Sequence, residues 1–229
     1  MPYYGFYDWT ILILLPAMIL SLIAQLSVSG AFNKYSKVYN RNGYTGEQVA
    51  RMLLDDAGLY DIPIEVVNKK LGDHYDPSRR ILRLSREVYY EKTIAAAGVA
   101  AHEVGHAIQH SKGYVPLTIR SAIVPAVNIS SSLSWIIFVA GLILSIQPLV
   151  NVGIILFVAV VIFQIVTLPV EFNASGRALK ILGNKGILYD DELKGTKKVL
   201  GAAALTYVAA AITSILQLLR LIAISKRND

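Results

Sequence analysis

The residues of this 229-residue sequence whose types and spacing could do chemistry stand together at His102-Glu103-Val104-Gly105-His106, the H-E-x-x-H pattern. On a helix, a spacing of four sets the two imidazoles one turn apart on one face, where both can reach a single zinc ion. Glu103 falls about 100° round from His102, near enough to act on the water of such an ion without ligating it. With 4 His and 7 Glu in the chain, the pattern is expected by accident about 0.002 times. Two histidines and a glutamate on a helix otherwise rich in Ala and Val would be costly to bury without partners. The chemistry that fits is metal-assisted hydrolysis. Zinc lowers the pKa of its water toward about 7, and the carboxylate takes the proton from that water and can hand it to a leaving amine.

A catalytic zinc takes three protein ligands and keeps one open position. His110 lies four residues past His106, but a straight helix would put it about 12 Å along the axis and about 80° round from His102, too far to share an ion with it. It reads as a helix-end or site-rim residue. His74 sits in Asp73-His74-Tyr75-Asp76-Pro77, which reads equally as a turn before a strand and as part of the lining of the site. Glu171, at the end of a long apolar run and followed by Ala174, Ser175 and Ala178, is the stronger candidate. Two membrane crossings between it and the H-E-x-x-H segment would return it to the same side.

Several elements must position these groups. Thr45 can cap a helix with Gln48 reaching back, Val49, Met52 and Leu53 supply its apolar face, and Gly58 stops it. Ile62 to Val67 and Arg80 to Leu84 read as strands of a small sheet. Thr93 opens an Ala-rich helix reaching His110. Pro169 is expected to end the apolar run before Glu171, with a fresh helix starting there.

The chain is 54% hydrophobic and 17% charged, outside the balance of an ordinary soluble domain. Four apolar runs approach the length needed to cross a bilayer: Trp9 to Phe32, Leu133 to Leu149, Val152 to Val170 and Ala202 to Ile224. No Lys or Arg precedes the first run, which therefore reads as a retained anchor and not a signal peptide, with Tyr3, Tyr4, Phe6, Tyr7 and Trp9 at the headgroup level. The expected organisation is an anchor at 1–32, a polar peptidase segment at 33–120, a membrane hairpin at 133–170, a third-ligand helix and loop at 171–201, and a last span at 202–224. Lys and Arg number 13 in residues 33–120 and 6 in residues 171–201, which puts both polar segments in the cytoplasm. Lys226 and Arg227 strain that assignment, because four spans would place them outside. The net charge of +6 is explained by these topology signals, and nucleic acid is not an expected partner. There is no cysteine, so any metal must be held by nitrogen and oxygen.

The stretches Asp73 to Pro77, Leu82 to Ser85, Ala100 to Gln109, Glu171 to Ser175 and Ala203 to Val208 resemble the YugP-like bacterial membrane neutral zinc metallopeptidases, over about Tyr44 to Leu219. The order H-E-x-x-H, two spans, then Glu is also similar to the HtpX and Ste24 type of membrane gluzincin. That resemblance implies one Zn2+ per chain held by His102, His106 and Glu171, with Glu103 as catalytic base. It further implies a mainly α membrane protein of about four transmembrane helices with a small α+β gluzincin-like peptidase domain at the membrane face. In the HtpX type an acidic residue often stands four places after the glutamate, where this chain has Ser175. His74, Tyr75, Ser175 and Arg177 are candidate oxyanion donors or outer partners, and Ile81, Leu82, Arg83, Leu84 and Ser85 are implied as an edge strand pairing with substrate backbone.

The expected function is a multi-pass zinc endopeptidase of the bacterial plasma membrane, active on its cytoplasmic side against membrane or misfolded proteins. Its partners would be a polypeptide substrate and the lipid bilayer. The rivals are a non-catalytic scaffold stapled by zinc and an intramembrane metalloprotease. The first leaves Glu103 without a task. The second needs H-E-x-x-H inside a span, yet the polar Tyr89-Tyr90-Glu91-Lys92 lies too close before His102, and no Asp occurs within the apolar runs.

Overall fold

The computed structural model describes residues 9–227. The aromatic cluster Tyr3, Tyr4, Phe6 and Tyr7 lies outside the described residues. A 3-10 turn at Trp9–Leu14 leads into α1 (Leu15–Tyr35), followed by α2 (Gly46–Asp56), β1 (Ile64–Val67), β2 (His74–Asp76), β3 (Ile81–Ser85), α3 (Arg86–Tyr90) and α4 (Ile94–Ser111). Three long helices complete the chain: α5 (Val115–Ile143), α6 (Gln147–Asn184) and α7 (Asp190–Arg227). The protein is mainly α, with a small α+β part and, among the described residues, four helices long and apolar enough to cross a membrane.

The chain divides into two compact units. One holds residues 24–118 and 168–206. Its local starts obey simple capping chemistry. Thr45 and Gln48 form a reciprocal capping box on α2, and Gly58 takes the left-handed conformation (φ 73°) just past that helix. On α4 the Thr93 hydroxyl accepts the Ala96 N–H, satisfying one donor that the first turn leaves over. The three-stranded sheet has the order β1-β3-β2, with β3 parallel to β1 and antiparallel to β2. Leu82 and Leu84 of β3 are fully buried with Leu53, Leu54, Val88, Ala97 and Val104, which sets the sheet and α2 against α4.

The other unit holds, among the described residues, 9–23, 119–167 and 207–227. Its core is Phe138, Val150, Phe157, Val161 and Leu221. A turn at Leu144–Ile146, with Ser145 left-handed (φ 52°), joins α5 to α6. That turn falls inside the apolar run expected to continue to Leu149. Hydropathy is blind to it because apolar residues flank it on both sides, and Pro148 sits comfortably in the first turn of a new helix.

Pro169 does not end a helix: α6 passes through it and carries Glu171 within the same 38 residues as the apolar run. A proline removes one donor, but the helix on its carboxyl side packs Ala174, Ala178 and Leu182 into the buried core, and that burial outweighs one missing bond.

Candidate metal centre

α4 is built to approach another backbone. A Cβ placed on Gly105 would lie 2.9 Å from the carbonyl oxygen of Ala174 and 3.2 Å from its Cα, so only glycine lets α4 and α6 pack this closely. The approach sets Glu171 of α6 opposite the His102 and His106 side chains. The Glu171 Oε2 atom lies 3.3 Å from His102 Nε2 and 3.6 Å from His106 Nε2, and the two nitrogens are 3.2 Å apart.

This triangle fits a metal. Ligand atoms about 2.0–2.1 Å from a tetrahedral zinc stand about 3.3 Å from one another. The three side chains can each offer one atom to the same ion, and they are largely shielded from solvent. The pocket also favours positive charge. Burial alone would lower the His106 pKa, but the Glu171 and Glu103 carboxylates more than offset it and hold the imidazole above its usual value.

The remote nitrogens have partners too. His102 Nδ1 lies 3.1 Å from the Ser175 hydroxyl, and His106 Nδ1 lies 3.0 Å from Gln109 Oε1. Gln109 is fully buried and donates from Nε2 to the Val170 carbonyl (2.8 Å) and to Asn173 Oδ1 (3.0 Å). Arg177 Nε donates to the same Asn173 oxygen at 2.6 Å. The position of Gln109, one turn beyond His106, was a signal available in the sequence.

Glu103 is 8% exposed, and its Oε2 accepts the Tyr75 backbone N–H at 3.0 Å. The Tyr75 hydroxyl in turn lies 2.9 Å from His110 Nδ1. Glu103 and His110 are seven residues apart, two turns along one face of α4, and one residue of β2 meets both. Behind Glu103, Asp73 accepts the Ser85 N–H (2.7 Å) and the Ser85 hydroxyl (3.0 Å). Burial pushes the Asp73 carboxyl above its ordinary value against those Ser85 bonds, and the charge of Glu103 adds to the rise.

Two expectations are corrected by the sheet. Ile81 to Ser85 is not an edge strand: β3 is the middle strand, bonded to β1 on one side and β2 on the other. The Tyr75 N–H, directed at Glu103, points away from β3, so the strand edge beside the site belongs to β2. His74 is not brought to the cluster. Strand alternation turns it away from the Tyr75 face, and its ring meets the Gly72 carbonyl (2.8 Å) and Arg83 Nη1 (3.4 Å). Arg177 and Ser175 reach the histidines from behind, Ser175 directly and Arg177 through Asn173 and Gln109.

A helix bearing two histidines and a glutamate, completed by a carboxylate from a long apolar helix, is a donor set of the zinc hydrolase class. The family profile described as "Putative neutral zinc metallopeptidase" matches residues 10–226, nearly the whole chain. The chain belongs to that family of zinc metallopeptidases. It is 50% identical over 214 residues to the "Putative membrane protease YugP" of Bacillus subtilis (strain 168), covering 93% of this chain and 95% of that protein. No solved structure matches the chain. The family and the apolar helices make this a membrane protein of the zinc peptidase class.

Proposed function

We propose that this chain is a gluzincin-type zinc endopeptidase that binds one zinc ion through His102, His106 and Glu171 and uses Glu103 as its general base. The observation that carries the reading is the triangle of His102 Nε2, His106 Nε2 and Glu171 Oε2, with sides of 3.2, 3.3 and 3.6 Å. Zinc, when bound, supplies Lewis-acid polarisation of the scissile carbonyl and a water acidic enough to be used near neutral pH.

The chain's own residues do the rest. The Tyr75 N–H holds Oε2 of Glu103, which leaves Oε1 to take the proton of the attacking water. The same carboxyl returns that proton to the leaving nitrogen as the C–N bond breaks, giving a new carboxylate and a new amine. The edge of β2 is the natural neighbour for substrate backbone. With its N–H engaged by Glu103, Tyr75 keeps a carbonyl on that edge as an acceptor for a substrate amide.

α4, which carries H-E-x-x-H, is not among the four helices of membrane-crossing length and apolarity within the described residues, which speaks for chemistry outside the hydrocarbon core. The excess of Lys and Arg in the two polar segments supports a site on the cytoplasmic side of the plasma membrane, and the substrates we propose are membrane or misfolded proteins.

Glu103→Gln tests the base. The purified full chain should still carry about one zinc while cleavage of an unfolded membrane substrate falls by about 10²–10⁴-fold. Cleavage at the parental rate would refute the assignment. Glu171→Ala should lose zinc on dialysis. Retention of parental zinc content by that variant would exclude Glu171 as the third ligand.

A further inference from the structure

The two histidines are not held alike. Gln109 Nε2 faces the Val170 carbonyl, and a carbonyl oxygen can only accept, so the nitrogen end of this amide is fixed there. Its oxygen end must then face His106 Nδ1, and that ring nitrogen must carry the hydrogen. Asn173 is oriented by the same logic from the other side. A guanidinium only donates, so the atom of Asn173 that meets Arg177 Nε must be its oxygen, which is also the atom that accepts from Gln109. One acceptor-only group and one donor-only group thus set the direction of every bond between them. His102 has no such constraint. Its Nδ1 meets the Ser175 hydroxyl, which can donate or accept by rotating.

We propose that Gln109, Asn173 and Arg177 are positioning residues forming a hydrogen-bond relay of fixed polarity, in which the donors from Gln109 and Arg177 converge on the Asn173 oxygen. The relay holds His106 with its hydrogen on Nδ1 and its Nε2 lone pair toward the metal, and it makes His106 the pre-oriented ligand of the pair. Gln109 is fully buried and donates twice, which polarises its oxygen toward His106 in a way a lone amide would not. No carboxylate takes part in either remote contact, so zinc affinity rests on orientation more than on a charged partner. This rests on the metal-centre reading given under Proposed function.

The test measures zinc affinity of the full chain in detergent micelles by competition with a chromophoric chelator, and thermal unfolding of the metal-free form alongside. Gln109→Leu should weaken zinc binding by about 10- to 100-fold, and by more than Ser175→Ala does. Arg177→Leu, at a half-buried position, should weaken it by a smaller factor, and that loss should vanish in a Gln109→Leu background because the relay is already cut. Two independent losses that multiply would overturn the relay. So would parental affinity in Arg177→Leu, a variant that keeps the outcome readable if Gln109→Leu fails to fold. A parent that binds no zinc would instead remove the metal centre itself, whereas a zinc-binding parent matched by both variants removes only the relay.

Discussion

Glu103 has two unlike neighbours: a backbone N–H from Tyr75 that holds one of its oxygens, and Asp73, whose negative charge opposes its own. Burial is the main reason the Asp73 carboxyl titrates above its ordinary value of 3.8, with Ser85 pulling it back. A group whose folded pKa is raised binds its proton more tightly in the folded state. Its contribution is complete below the unfolded value and is lost as pH climbs through the folded one. Asp73→Asn keeps an acceptor for the Ser85 N–H and removes the titration. In the metal-free protein, the unfolding midpoint of the parent should fall relative to the variant as pH rises from 3.8 upward. Parallel curves across that window would dismiss Asp73 as the cause. Among single residues, His102, Glu103 and His106 stood out as candidates because their spacing alone suggests a chemistry. Glu171 needed a topological argument and a resemblance as well. The nearness of Gln109 to His106 was readable from their spacing but its partners on α6 were not, and Asp73, thirty residues before Glu103, has no signature until folding chooses its partner.

At the scale of elements, the closeness of α4 and α6 decides whether three ligands can converge. Gly105→Ala would press a methyl against the Ala174 backbone, which cannot swing aside as a flexible side chain could. The expected cost is about 1–3 kcal/mol of stability, together with weaker zinc binding as the helices part. Gly176→Ala on α6 is the control. Nothing lies within 4 Å of its added carbon, so it should be neutral or stabilise by up to about 1 kcal/mol through helix propensity. Equal effects at the two positions would show that close packing is not what Gly105 serves. The helices α2 and α4 were readable because their caps are local, as at Thr45 and Thr93. β2 was not, because three residues beside Asp76-Pro77 look like a turn until β3 pairs with them. The passage of α6 through Pro169 was hidden because the packing that overrides a proline is tertiary.

For the whole molecule, apolar length revealed the four membrane-crossing candidates, and charge distribution predicted which side each loop occupies. The chain has no cysteine, so single-cysteine probes can be read cleanly. Lys70→Cys, between β1 and β2, should react with an impermeant maleimide only after the cell is opened. Ser145→Cys, at the turn between α5 and α6, should react in intact cells. Reversal of the two would turn the proposed orientation over, and labelling of both from one side would break the four-span arrangement.

Because α6 carries Glu171 beyond an apolar run, the chain emerges from the ribosome with His102, Glu103 and His106 before the carboxylate proposed as third ligand has been made. During that interval the proposed base and two proposed ligands are present without a complete donor set. On the proposed reading, the order of synthesis sets the earliest moment at which all three residues could share one ion: the site can close only after α6 has been made.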